Sequence, residues 1–559
     1  MNKWKGLFQD NRKWKERFLS IALVQFLFAF MVLFFQPIEM YVSNRKDLIF
    51  GITDLWPVLL FVSGAFFLIS TVLLSFLPGK IFDLVTAIVF GINLCIYVQG
   101  NFLNGKIGTL NGDTIAWQHH KRHAAIELIC WLTILLIIML ILYLNKNVFQ
   151  RIVKYGCMLL VAMQTVALVT LFLTTDFKND AITGYLSKDK MFELSENQNV
   201  IVFVLDSFDA SYVEGALLED PTVLDEFTGF TEFTNYIATY GNTYPSITYL
   251  LTGDKYYFDQ SLSDYKKEAF DKGQFLKTLH KNNYDNRVFT EEISMPADSN
   301  GDMDNHIQGK TAISKAGMLK GMYNLIAYRD TPFAMKAMFW FYTSDINLWA
   351  SSGGEFSPYN ISDSYFYSDL LSNDITLQNE KNCFRFYHLQ GAHAPYVLND
   401  DAQYSPAGTS RNNQIVGCLH IVDTYLQKMK EKGIYKDSTI IVTADHGDIG
   451  ICECPILFIK PAGLESGAIV ETKAPVIDSD LQATILQEMG ISKEGFGESV
   501  FQIPENEKRD RIKFGKIETL NPDYEEVPEY LIRGFARDPD NWIKTEKSWK
   551  MKYSFYKMD

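Results

Sequence analysis

Residues 199–209 read NVIVFVLDSFD. Six successive apolar residues, Val200–Leu205, mostly β-branched or aromatic, end in an acid, Asp206. A strand apolar at every position has no polar face to offer water, so it belongs in a sheet covered on both sides. Similar runs recur at Cys383–Tyr387, Ser438–Thr443 and Pro455–Ile459, with helical patterns between them, such as VGCLHIVDTYLQKMKEKG (416–433). Alternating strand and helix predicts an α/β sandwich with a mainly parallel central sheet. Such sheets gather ligands at the carboxyl ends of their strands. Here those ends carry metal-ligand residue types: Asp206 after the first run, His388 and His393 after CFRFY, and Asp445-His446-Gly447-Asp448 after STIIVTA. A lone acid after a strand serves as a helix cap as readily as a ligand. Three such ends in one sheet predict a site.

Upstream lie five long apolar stretches, roughly Phe18–Phe35, Leu55–Leu77, Ile81–Val98, Ala124–Leu144 and Ile152–Thr175. Each approaches or exceeds the ~20 residues that cross a bilayer core. The first continues to Gln36-Pro37 without a small-residue cleavage site, which identifies a span rather than a signal peptide. With the N-terminus inside, the cytoplasmic segments hold Lys3, Lys5, Arg12, Lys13, Lys15, Arg17, Lys80, Lys146, Arg151 and Lys154. The other side holds only Arg45, Lys46, Lys106, Lys121 and Arg122. This bias predicts a multi-pass protein of the cell membrane with a cytoplasmic N-terminus and everything after Thr175 extracytoplasmic. Glu127, about one turn into the fourth span, is expected to snorkel to the interface.

Charge divides at the same boundary. Residues 1–175 carry 15 Lys+Arg against 8 Asp+Glu, and the remainder 37 against 58. So acidic a domain has no general attraction for nucleic acid, and any phosphate it handles must be held locally, as by a metal ion. Cys95, Cys130 and Cys157 fall in apolar runs; Cys383, Cys418, Cys452 and Cys454 leave one or two disulfides open if their half is extracytoplasmic. The expected organisation is a five-helix membrane domain (1–175), a juxtamembrane linker (176–198), a catalytic domain (199–503) and a small C-terminal subdomain (504–559). In that subdomain Trp542, Tyr530 and Tyr553 either stack on a sugar or form the core. The insertion Asp254–Asn382 is expected to cover the site. Its AMFWFYTSDINLW (337–349) is suited to touching lipid or glycan, or to filling the core.

Four stretches, in this order, resemble the alkaline phosphatase superfamily in its sulfatase-like branch: NVIVFVLDSFD (199–209), NTYPSITYLLTG (242–253), YHLQGAHAPY (387–396) and DSTIIVTADHGD (437–448). The likeness spans about Asn199 to Pro461. With five preceding spans it also resembles lipoteichoic acid synthases and phosphoethanolamine transferases. Sulfatases carry Cys or Ser followed by x-Pro-x-Arg; here Thr243 stands first, and Ile247 replaces the Arg. A threonine oxidised at its hydroxyl gives a ketone rather than the aldehyde of sulfatase chemistry, so the resemblance favours phosphoryl transfer.

The resemblance implies that Asp206, Asp445 and His446 bind one divalent ion, Mn or Zn by ligand type, which also contacts Thr243. Thr243 would be the nucleophile, passing through a phospho-threonine intermediate. His393 would bind substrate or act as a general acid, histidine being the side chain that titrates near neutral pH. His388 would contact substrate or brace the loop. Asn242 and Ser246 would donate to phosphate oxygens, or serve only the turn beside Pro245. Two-metal members use a further histidine beyond the Asp-His pair, and none follows His446; one metal ion is therefore implied. The expected activity moves a phosphoglycerol- or phosphoethanolamine-type group from a membrane lipid or lipid-linked donor to an envelope polysaccharide or glycolipid. Hydrolysis of envelope polymers as a phosphodiesterase or sulfatase, and a non-catalytic glycan- or lipid-binding pseudoenzyme, stay open.

Overall fold

The computed structural model describes residues 14–45, 48–104, 117–175, 177, 184–290, 301–309, 311–341, 345–353, 357–405, 409–448, 452–515 and 526–550. Of the residues considered above, Lys3, Lys5, Arg12, Lys13, Lys46, Lys106 and Tyr553 lie outside them. The chain divides into two compact units, one comprising residues 1–182 and 310–352, the other 183–309 and 353–559.

The first unit holds five helices long and apolar enough to cross a membrane: α1 (Trp14–Asn44), α2 (Ile52–Ser75), α3 (Gly79–Leu103), α4 (Lys121–Leu144) and α5 (Lys146–Thr174). These five, counted among the described residues, fit a membrane protein. In α1 the stretch Ala29–Phe35 widens to π-helical bonding just before Gln36-Pro37. A proline lacks the amide N–H an α-turn needs, and a π-turn absorbs the mismatch. The bundle's core includes Ile21, Val24, Phe82, Phe90, Ile138 and Val153. Glu127 does not snorkel. It is fully buried, accepts the Phe333 amide N–H and pairs with His123 Nε2 at 2.9 Å. Phe333 belongs to the segment 310–352, which folds with the membrane helices as α7 (Lys315–Asp330), a short α8 (Phe333–Lys336) and α9 (Asp345–Ala350).

The second unit is built on a seven-stranded sheet. Its strands are β1 (Asn199–Leu205), β2 (Thr231–Phe233), β3 (Tyr284–Phe289), β4 (Asn382–Leu389), β5 (Ser438–Thr443), β6 (Leu457–Lys460) and β7 (Val470–Thr472). Their order is β7-β2-β6-β5-β1-β4-β3. Strands β3, β4, β1 and β5 are parallel neighbours, whereas β6 runs antiparallel to both β5 and β2. β1 is buried along its whole length. Its side chains alternate between two cores: Ile201, Phe203 and Leu205 enter one, Val200, Val202 and Val204 the other. Burying each such side chain contributes roughly 1.5–3 kcal/mol. Helix α11 (Arg411–Glu431) covers the first face through Ile415, Leu419, Val422 and Leu426. The second is covered partly by α6 (Thr243–Thr252) through Ile247 and Leu251.

The C-terminal residues form an antiparallel sheet of β8 (Arg511–Phe514), β9 (Glu526–Ile532) and β10 (Trp542–Lys550). Phe514 stacks on Tyr240 with ring centres 5.3 Å apart. Tyr530 and Trp542 meet edge to face and pack against Ile532 and Ala536, so these two aromatics serve the subdomain's core. All seven cysteines are free thiols, so neither disulfide left open by the sequence forms.

Candidate active site

Register places the polar residues at one edge of the sheet. Leu205 of β1 pairs with Leu389 of β4, and Val204 with Thr443 of β5. Asp206, the 389–393 loop and Asp445 therefore emerge side by side. His388 lies inside β4 rather than after it, paired with Val204. The chain crosses the end of β1 closely: Asp206 N–H donates to the Leu389 carbonyl at 3.1 Å, and Ala392 N–H to the Asp206 carbonyl at 2.9 Å. Gly391 is required at this crossing. Its φ is +57°, and a Cβ there would stand 2.6 Å from the Asp206 nitrogen.

The site's side chains converge across this edge. Thr243 Oγ1 lies 3.5 Å from Asp206 Oδ2 and 3.5 Å from His446 Nε2. His446 Nε2 lies 3.4 Å from Asp445 Oδ2 and 3.9 Å from Asp206 Oδ1. His388 Nε2 lies 3.6 Å from Asp206 Oδ2, and its Nδ1 is 3.0 Å from Thr290 Oγ1. Asp206, His388, Asp445 and His446 are all buried. Burial by itself would raise the Asp206 carboxyl, but the His393, His388 and His446 imidazoles outweigh it and hold it well below the usual carboxylate range.

Asp445 divides its work. Oδ1 accepts the Ser207 N–H at 3.0 Å and the His446 N–H at 2.9 Å, while the buried Oδ2 takes no hydrogen bond among the described residues. Ser207 reaches it from a left-handed backbone, φ +57°, which is unfavourable for a residue with a side chain. An orphaned carboxylate oxygen in the interior has a cost unless something electropositive faces it. Asp206, His388 and Asp445 each offer one ligand atom within 4.8 Å of the others. Two carboxylates and imidazole nitrogens are a donor set that fits a divalent cation.

Thr243 is the first residue of α6, with Asn242 as an extended N-cap whose side chain makes no capping bond. Amide N–H groups at a helix start, together with the helix dipole, favour an anion. Ser246 is buried, and its hydroxyl donates to the Asn242 carbonyl at 2.8 Å, closing the first turn of α6. His393 is half-buried, with Nδ1 against the Ala394 carbonyl; Gln414 Nε2 donates to the His393 carbonyl at 2.6 Å.

Three supporting residues carried no signal of their role. Asp363, the first residue of α10 (Asp363–Asn373), is buried, and its two oxygens accept the amides of Gln390 (2.7 Å) and Gly391 (3.0 Å). Burial pushes its carboxyl up to about 7. Asp209 holds the other wall: Oδ1 accepts from Ser211 N and Oγ, and Oδ2 from the amides of Cys454 (3.2 Å) and Asp448 (3.4 Å). Thr290 orients His388. Asp209 stood within the quoted motif, whereas Asp363 and Thr290 sit where no local pattern marks them.

Residues 198–451 match the family described as Sulfatase. That match covers 254 of the chain's 559 residues. Similar solved structures include a protein in the alkaline phosphatase superfamily from Vibrio parahaemolyticus, at 14% identity, covering 65% of this chain and 80% of that one with a TM-score of 0.38. Another is the phosphonate monoester hydrolase SpPMH from Silicibacter pomeroyi, at 16% identity over 62% and 88% of the two chains, TM-score 0.36. A third is the lipoteichoic acid synthase LtaP from Listeria monocytogenes, at 13% identity over 65% and 89%, TM-score 0.32. No curated protein matches the chain.

Proposed function

We propose that this chain is a membrane-bound phosphotransferase. It moves a phosphoglycerol- or phosphoethanolamine-type group from a membrane lipid to an envelope glycan or glycolipid through phospho-Thr243. The observation that carries the reading is the Thr243 hydroxyl, at the start of α6 and 3.5 Å from both Asp206 and His446. Asp206, Asp445 and His446, with the Thr243 hydroxyl, would hold one divalent ion, Mn or Zn, and His388 braces or joins that set. When bound, such an ion supplies the Lewis acidity that makes a hydroxyl nucleophilic and offsets phosphate charge.

In the first displacement the Thr243 Oγ–P bond forms as the P–O bond to the lipid alcohol breaks. The threonine proton leaves to solvent, and His393 protonates the departing alkoxide. In the second, His393 takes the proton of the acceptor hydroxyl. The acceptor oxygen then bonds to phosphorus as the Thr243 Oγ–P bond breaks, and Thr243 regains a proton. Asn242 and the first-turn amides of α6 face the anion's charge. Two in-line displacements retain configuration at phosphorus.

Residues 199–309 and 353–503 act as the catalytic domain, on the outer side of a membrane crossed with the N-terminus inside; residues 310–352, expected within it, belong to the unit of the membrane helices. Membrane anchoring keeps that domain at the surface where a lipid donor is concentrated. The test is release of diacylglycerol from vesicles containing phosphatidylglycerol or phosphatidylethanolamine by the purified full-length chain with Mn or Zn. One donor is expected to be consumed. Failure of both with either metal, in protein that binds the metal, overturns the lipid-donor reading.

A further inference from the structure

Residues 310–352 fold with the membrane helices although β1–β3 of the catalytic domain precede them in the chain. Their fixings are specific. Tyr323 OH donates to the Leu33 carbonyl (3.1 Å), Arg329 Nη1 to Glu39 Oε2 (2.8 Å) and Lys336 Nζ to Asn104 Oδ1 (3.0 Å), while the Phe333 amide donates to Glu127. Glu39 and Asn104 lie at the ends of α1 and α3, and Glu127 near the start of α4, so all mark one end of the bundle.

Two of these contacts give a depth. Glu127 lies about 9 Å along α4 from its start, and Leu33 about 16 Å along α1 from its end, at 1.5 Å per residue. α4 has 24 residues and α1 has 31. Centred on a hydrocarbon core ~30 Å thick, they overhang by about 3 and 8 Å. Both contacts then fall roughly 6–8 Å inside the core, while Asn104, just past the end of α3, falls outside it, so the segment straddles the interface.

What the segment shows at that depth is apolar. After Phe333, the side chains of Ala334, Met335, Ala337 and Met338 are exposed, at the i, i+1, i+3, i+4 spacing of one helical face, while Lys336 is buried. Met338 is 75% exposed. Phe102, two positions before Asn104, and Ile126, beside Glu127, are exposed apolar side chains near these fixings as well. An exposed apolar patch at membrane depth has acyl chains as its natural neighbour.

We propose that residues 333–341 are an interfacial membrane anchor, with Met335 and Met338 lying among the acyl chains of the leaflet at the end of the bundle where α5 terminates. The catalytic half of the chain is thereby tied to the bilayer at a second point besides its junction with α5.

The experiment places the photoreactive residue p-benzoylphenylalanine at Met335, at Met338 or at exposed Glu431, singly, in the full-length chain in native membranes. After irradiation, peptide mass spectrometry reads the adducts. Lipid adducts at positions 335 and 338, several-fold above those at 431, are expected. Lipid adducts no more frequent than at 431, or crosslinks from both positions to other stretches of protein, overturn the proposal.

Discussion

The Thr243 hydroxyl and the Asp206 carboxylate stand 3.5 Å apart although 37 positions separate them in the chain. Neither approach is local. Asp206 is delivered by the end of β1 and Thr243 by the start of α6, and the sheet and its covering helix bring the two ends together. A nucleophile held by two separate elements is positioned by the whole domain, which is why the following predictions concern supporting residues as well as the reacting one.

Thr243→Ala removes the oxygen that attacks the donor, and group transfer should fall by at least about a thousandfold. Thr243→Ser keeps the hydroxyl and should retain measurable turnover. Diacylglycerol release at equal amounts of folded protein checks both.

Metal should stabilise the fold, because the orphaned Asp445 Oδ2 gains a partner. A ligand at about a hundredfold excess over its Kd adds roughly 2.7 kcal/mol. Thermal unfolding in detergent after chelation, then with Mn or Zn restored, should show a rise in midpoint that Asp445→Asn loses. Elemental analysis should find less bound metal in His446→Ala. The same measurement on His388→Ala decides whether that imidazole joins the donor set or only braces Asp206.

Asp363→Asn replaces one acceptor with an amide that faces a backbone N–H, at a cost of about 1–3 kcal/mol. Because Gln390 and Gly391 lead into His393, kcat should fall more than KM changes, and Asp363→Glu should restore part of it.

Two buried acids give a stability slope with a definite sign. Asp363 is pushed up to about 7 and Asp478 to about 6, burial being the first cause of each. Unfolded, both titrate near 3.9. An acid raised in the folded state stabilises it most below the unfolded value, and that contribution is lost as pH climbs through the folded one. The unfolding midpoint should therefore decline between about pH 4 and 7 on account of these groups, and Asp363→Asn should flatten the decline.

Lys513 of β8 is buried and pairs with buried Glu453 at 3.3 Å, while its ammonium also donates to the carbonyls of Ala238 and Tyr240, just before Thr243. Lys513→Met strands the Glu453 charge, a loss of about 3–5 kcal/mol. The double variant Lys513→Met/Glu453→Gln should be more stable than the single one by chemical denaturation.

The sequence made the membrane half legible because uninterrupted apolar runs have few other uses, and the site's first tier legible because strand ends are where α/β sheets place ligands. Asp206, Asp445 and His446 stand at such ends, Thr243 is marked only by its motif's resemblance to the sulfatase-like branch, and the four side chains converge. Glu127 departs from the expected snorkelling because its partner, the Phe333 amide, lies 206 positions away, and no local pattern announces such a contact. Asp363 escaped for the same reason, as its work is done on the backbone of a distant loop. The folding of 310–352 with the membrane helices was equally hidden, since its helices mix polar and apolar residues much as a soluble insertion does.

The account rests on a covalent bond to one oxygen. Intact-mass and peptide mass spectrometry of the full-length chain, quenched in acid after mixing with donor lipid and no acceptor, tests it most directly. A single added phospho-substituent on Thr243 is predicted, retained in Ser246→Ala, absent from Thr243→Ala and lost when acceptor is supplied. Turnover of the donor with no adduct on Thr243 at any quench time, or an adduct on a different residue, would contradict it.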